Sequence, residues 1–210
     1  MREVIYQTPY RNVILPLHAG DVGISYSGGA DSVILLFMLL VDGLVPNKIF
    51  VTYRKGFKNA SIDNTLTWLE NRFSVDLKSR VHEFVLDNNQ LRPDIYATMQ
   101  QSEWLYTGVT QNPMNWEYTG RSPARPLTAM DNKYRQYATP FVTFDKRVTV
   151  FLYEALGLKE LFDLSHSCPL PDINPPCGQC FHCSERKWAL EEVAKLQAWQ
   201  KECKKIENSC

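Results

Sequence analysis

The sequence carries no excess of either charge, because lysine plus arginine equal aspartate plus glutamate at 23 each. No global field therefore draws nucleic acid to the chain, and a polyanion would have to be met by a local patch. Long apolar runs are absent as well. The longest, Val33 to Val41, is far too short to span a bilayer, and the first residues form no apolar export segment. A cytoplasmic protein with no membrane partner is expected. There is no internal repeat, low-complexity tract or linker, so the 210 residues fit one α/β unit with a small appendage, long enough to bury a full core. The pattern Gly-x4-Gly-Lys-Ser/Thr is also missing, which excludes a Walker-type phosphate loop.

Against these absences stands a dense group of cysteines. Cys168, Cys177, Cys180 and Cys183 are spaced C-x8-C-x2-C-x2-C. Each x2 knuckle turns the backbone so that neighbouring thiolates converge, and four of them close a tetrahedron around Zn²⁺. Pro175 and Pro176 stiffen the approach, and Gly178 supplies a left-handed turn between two ligands. Two disulfides, less favoured in a reducing compartment, or four unconnected core thiols are the alternatives. His166 and His182 are near enough to replace a thiolate, although an all-thiolate set is preferred. Four thiolates leave no open position for water, so the metal is expected to be structural.

The second signal is Ser27-Gly28-Gly29-Ala30-Asp31-Ser32, between an apolar stretch from Val22 to Tyr26 and the long apolar run Val33 to Leu40. A short buried strand followed by a buried helix puts the glycines on a strand-to-helix turn. There, side-chain-free backbone approaches an anion closely and the first helical amides point at it. Tyr26, Ser27, Gly28, Gly29, Ala30, Asp31, Ser32 and Val33 are accordingly the candidate nucleotide-binding residues, with the two serines as hydroxyl donors. Asp31 either binds Mg²⁺ or caps the helix.

Further along, strand and helix patterns alternate. Strands are expected over Lys48 to Arg54, Arg80 to Leu86, Trp104 to Thr110 and Ala138 to Thr143, and helices over Ser61 to Arg72, Ile95 to Glu103, Asp145 to Leu156 and Ser184 to Ile206. Such alternation implies a parallel sheet wound by right-handed crossovers, with ligands at the carboxyl ends of its strands. Gln111 to Asn132 has little periodicity and is expected to be a long loop. Residues 1–160 are expected to form the nucleotide-binding unit and 161–210 the zinc knuckle with its helix. The leader from Met1 to Gly20 suggests no function. Lys146 opens a helix near the active edge of the sheet, as a catalytic cation or as a solvated lysine. Arg121 and Arg125 lie in the long loop, where each closes on phosphate or carboxylate or stays on the surface.

The loop resembles the SGGxDS loop of the PP-loop ATP pyrophosphatases. Its combination with the C-terminal cysteines, and with Thr139-Pro140 and Lys146 to Ser167-Cys168 between them, resembles the 7-cyano-7-deazaguanine synthase family from about Val22 to Leu190. The resemblance implies a Rossmann-like (adenine nucleotide alpha hydrolase-like) three-layer fold, a structural zinc, and ATP with Mg²⁺. It also implies conversion of a 7-deazaguanine carboxylate with ammonia to amide and nitrile, with small molecules as partners and a homodimer allowed. Asp31, Lys146 and Arg121 are the catalytic candidates. The chain departs from the family at Leu91-Arg92-Pro93-Asp94 and Glu117-Tyr118-Thr119-Gly120-Arg121, in the acceptor-handling half. Base thiolation or amidation, and a nucleotide-binding module without catalysis, are the other readings.

Overall fold

A computed structural model describes residues 1–54, 60–86, 101–114, 116–120, 137–168 and 176–207. Strands β1 (Arg2–Tyr6) and β2 (Val13–Leu17) form an antiparallel hairpin. Strands β3 (Val22–Ser25), β4 (Lys48–Arg54), β5 (Val81–Leu86), β6 (Trp104–Thr107) and β7 (Tyr137–Ala138) form a second sheet, parallel throughout, in the order β5-β4-β3-β6-β7. The α-helices among the described residues are α1 (Ala30–Val41), α2 (Ala60–Phe73), α3 (Lys146–Ala155), α4 (Lys159–Leu164) and α5 (Phe181–Glu207), and a 3-10 turn at Lys78–Arg80 precedes β5. The expected α/β fold with a parallel sheet is the observed one.

Strand order follows from the connections. Two crossovers step outward from β3 through β4 to β5, and the chain then returns to the other side of β3 at β6, which creates a switch point between β3 and β6. The loop after β3 opens there. Ile49 and Val51 enter the main core, whereas Phe50 between them joins a separate cluster with Leu105, against which Phe84 and Tyr137 pack. A strand apolar on both faces is what a covered parallel sheet requires. Every residue from Val33 to Leu40 is buried, so α1 is a central helix and not an amphipathic surface one.

Several boundaries move. The strand expected to Thr143 is only Tyr137–Ala138, because Pro140 lacks a ladder donor and the next residues turn, with Val142 N donating to Thr139 O at 3.2 Å and Phe144 N to Phe141 O at 2.9 Å. β6 stops at Thr107, ahead of Gly108. The last helix begins at Phe181, so Cys183 lies in its first turn. Asp145 is the N-cap of α3, its side chain accepting from Arg147 N at 3.0 Å, and Gly157 with φ +68° stands beyond its end, as expected. Of the helix expected over Ile95 to Glu103, the last three residues are turn and bend, and the others lie outside the described residues, as does most of the loop from Gln111.

The leader is the largest omission of the sequence reading. Val13, Leu15 and Leu17 alternate inward and are buried, while Ile14 faces out opposite Ile5. Tyr6 donates to Asp42 Oδ2 at 2.7 Å and Tyr106 to Pro16 O at 2.7 Å, which ties the hairpin to the end of α1 and to β6. No helix among the described residues is long and apolar enough to cross a membrane.

Candidate functional site

Tyr26 continues β3 by donating its N–H to Phe50 O at 2.9 Å, and the chain then turns sharply. Gly28 makes the turn, at φ +70° in the left-handed region; a β-carbon there would lie 2.5 Å from Ser61 Oγ and 3.0 Å from Ile62 N. Its carbonyl accepts from Ser61 Oγ at 3.2 Å and from His166 N at 2.9 Å. Inside the loop, Ser32 Oγ donates to Gly29 O at 3.0 Å and accepts from Ser27 N at 3.2 Å. Gly29 is the N-cap of α1 and supplies no side-chain cap, so the helix presents its first amides, with the positive end of its dipole, at the open end of the turn. Tyr153, whose hydroxyl burial keeps protonated, donates to Ala30 O at 2.8 Å and fixes the start of the helix.

The positional demand falls on Gly28 and not on Gly29. A β-carbon on Gly29 would come no nearer than 3.2 Å, to Ser27 Oγ, so Gly29→Val should fold and block only an incoming anion. Gly28→Ala forces an L side chain into the left-handed region, worth about 1–2 kcal/mol, before its contacts with α2 are counted. Thermal unfolding with parallel ATP titration checks both. We expect Gly28→Ala to lower melting temperature and affinity together, and Gly29→Val to lower affinity alone; a folded Gly29→Val protein that binds ATP normally removes the loop from the site.

Asp31 is not the helix cap. Its carboxylate accepts from Thr149 Oγ1 at 2.8 Å on one oxygen and pairs with Lys146 Nζ on the other. Lys146 is 3% exposed and Asp31 17%, which removes the reading of Lys146 as a solvated lysine. Glu185, fully buried, stands 3.9 Å from the same ammonium. Two carboxylates thus share one buried cation, at the carboxyl end of the sheet beside the switch point. Gly108 makes this closeness feasible: a β-carbon on it would sit 2.7 Å from Asp31 C and O. Arg121 and Arg125 lie outside the described residues.

The four cysteines converge as their spacing predicts. Cys168 and Cys177 sulfurs are 3.5 Å apart, Cys177 and Cys183 3.9 Å, Cys168 and Cys180 3.9 Å, and all four lie within 4.8 Å of one another. Zinc–sulfur bonds of about 2.3 Å in a tetrahedron put sulfurs about 3.8 Å apart, so the donor set fits one such ion. A four-iron cluster would spread the sulfurs further, since each thiolate then sits on a different metal. Disulfides would need about 2.05 Å. Gly178 takes the left-handed turn at φ +70°. Backbone N–H groups of Gln179 and Cys180 aimed at Cys177 lower its thiol to about 6, favouring the thiolate that a metal requires. Burial raises the thiol of Cys183 instead, and a cation is the counter-charge that such a sulfur needs. Neither His166 nor His182 belongs to the group.

Sequence reading missed Gly108, Thr149 and Glu185. Thr149 was recoverable, being one helical turn from Lys146 on the same face. Glu185, amid the charges of a helix start, looked like a solvated residue.

Residues 122–194 match the family model described as "QueC: Queuosine biosynthesis protein QueC", a stretch well under half of the chain that holds Lys146 and all four cysteines. No curated protein matches. Among solved structures, the U34-tRNA thiolase NcsA from Methanococcus maripaludis with its [4Fe-4S] cluster is similar at a TM-score of 0.40 and 15% identity, over 85% of this chain and 65% of that one. Over residues 122–194, the segment that carries Lys146 and the four-cysteine group, the chain is therefore similar to the QueC family.

Proposed function

We propose that the protein is an AMP-forming, ATP-dependent ligase that adenylates a 7-deazaguanine carboxylate and converts it with ammonia to the amide and then the nitrile. One observation carries the reading. The segment matched to the QueC model meets the glycine loop directly, through Lys146 on Asp31 and through His166 N on Gly28 O.

A carboxylate does not react with ammonia at neutral pH, because oxide would have to leave. Adenylation replaces oxide by AMP. The acceptor's oxygen attacks the α-phosphate and the bond to pyrophosphate breaks; ammonia then attacks the acyl carbon, AMP leaves, and a proton is lost. For the nitrile, the amide oxygen repeats the attack on the α-phosphate of a second ATP and pyrophosphate leaves; one N–H proton is lost, and departure of AMP with loss of the second N–H proton forms the triple bond. Negative charge grows on the phosphoryl oxygens in each attack. The first amides of α1 would receive it, with Ser27 and Ser32 assigned as hydroxyl donors. Asp31 is the group that would hold Mg²⁺ brought in with ATP, because it is the partly exposed member of the buried trio and its Oδ1, which accepts from Thr149 Oγ1, keeps a second lone pair; the ion would supply charge neutralisation there. Lys146 holds that carboxylate in place, and Arg121 is assigned to the phosphates or the acceptor carboxylate. Zinc on Cys168, Cys177, Cys180 and Cys183 has a structural role, with the knuckle and α5 as the appendage over residues 161–210. The partners are small molecules, and the location is the cytoplasm.

The test is incubation with ATP, ammonia and 7-carboxy-7-deazaguanine, with products identified by mass spectrometry. Amide and nitrile are expected. ATP consumption without either product overturns the acceptor assignment and favours a different PP-loop chemistry.

A further inference from the structure

The cysteine group and the glycine loop are far apart in sequence and touch along two paths. On the first, Cys168 is preceded by Ser167, whose Oγ is 3.5 Å from Ala30 N, and by His166, whose N donates to Gly28 O at 2.9 Å. On the second, Cys183 lies one turn ahead of Lys187 in α5, and the intervening Glu185 faces Lys146, which pairs with Asp31. Arg186 ties the paths together: it donates to Ser165 O at 2.8 Å and Phe162 O at 2.5 Å, with its guanidinium 3.7 Å from the centre of the Phe162 ring. An ion that draws Cys168 and Cys183 to one point therefore sets both supports of the loop at once. Without it, no ion joins Cys168 to Cys183, and the residues free to relax are those that touch Gly28, Ala30 and Lys146.

We infer that the four-cysteine knuckle is coupled to the nucleotide loop, with Glu185 and residues 165–168 as positioning elements, so that metal and ATP each tighten the binding of the other. The inference rests on the nucleotide reading of the loop. Linkage makes it reciprocal: whatever factor the metal adds to ATP affinity, ATP must add to metal affinity.

The experiment uses the zinc-loaded full chain and a chromogenic chelator, with metal capture measured with and without saturating ATP and with ATP binding measured separately by calorimetry. We expect ATP to raise the apparent metal affinity about tenfold, within the usual span of such couplings. Glu185→Gln, which keeps all four ligands, should retain one metal per chain yet lose most of that protection. Equal metal capture with and without bound ATP overturns the coupling while leaving the nucleotide site standing. No ATP binding in any form overturns the nucleotide reading and the coupling with it. Full protection in Glu185→Gln removes Glu185 from the path. A structural role alone would not make metal release depend on ATP.

Discussion

Cys180→Ser is expected to leave the protein without its metal and with a disordered start to α5. Three thiolates cannot close the tetrahedron, and apparent binding free energies for structural zinc sites are about 10–16 kcal/mol at neutral pH, much of it expressed as folding of the surrounding knuckle. The loss should be local. α1, α2 and the parallel sheet draw their stability from a core that contains none of the four sulfurs. Metal analysis of protein purified without chelator should give one zinc per chain for the parent and close to none for the variant, with most of the helical signal retained. No zinc in the parent contradicts the zinc assignment.

Lys146→Met should be the most destabilising single change in the loop region. The ammonium is 3% exposed and serves both Asp31 and the fully buried Glu185, so its removal takes away the counter-charge that two neighbouring carboxylates share. Breaking a buried pair in this way costs about 3–5 kcal/mol, which for a chain of this size lowers the melting temperature by on the order of 10 °C. Adding Glu185→Gln to Lys146→Met should recover part of the loss, since one of the two facing carboxylates is then replaced by a neutral group. Thermal unfolding of the two variants checks this. Equal stability of parent and Lys146→Met would mean that the pair is already solvated.

The scaffold was largely legible because its signals are local. The run Val33 to Leu40 marks a buried helix, KIFVTYR a covered strand, and the two short cysteine knuckles a convergent donor set. Their relation in space was not. Asp31 reads from sequence as a helix cap or a metal ligand, and nothing there announces that Lys146, 115 residues away, will pair with it. Glu185 was invisible for the same reason, since a glutamate in a helix start reads as solvated until tertiary packing buries it. Gly28 and Gly29 are equivalent as letters, and only the turn separates the one that needs φ +70° from the one that gives the ligand room. The hairpin escaped notice because five-residue strands leave little periodicity to read, and Pro16 within the second masks the alternation of Val13, Leu15 and Leu17.

Central to this account is attack on the α-phosphate. The loop carries no lysine to draw charge from the β and γ phosphates, and its place at the carboxyl end of β3 suits a departing pyrophosphate. Chromatography of the nucleotide products, with the carboxylate acceptor supplied and then withheld, tests this most directly. The account predicts AMP and pyrophosphate only when acceptor is present, and formation of ADP and phosphate would contradict it.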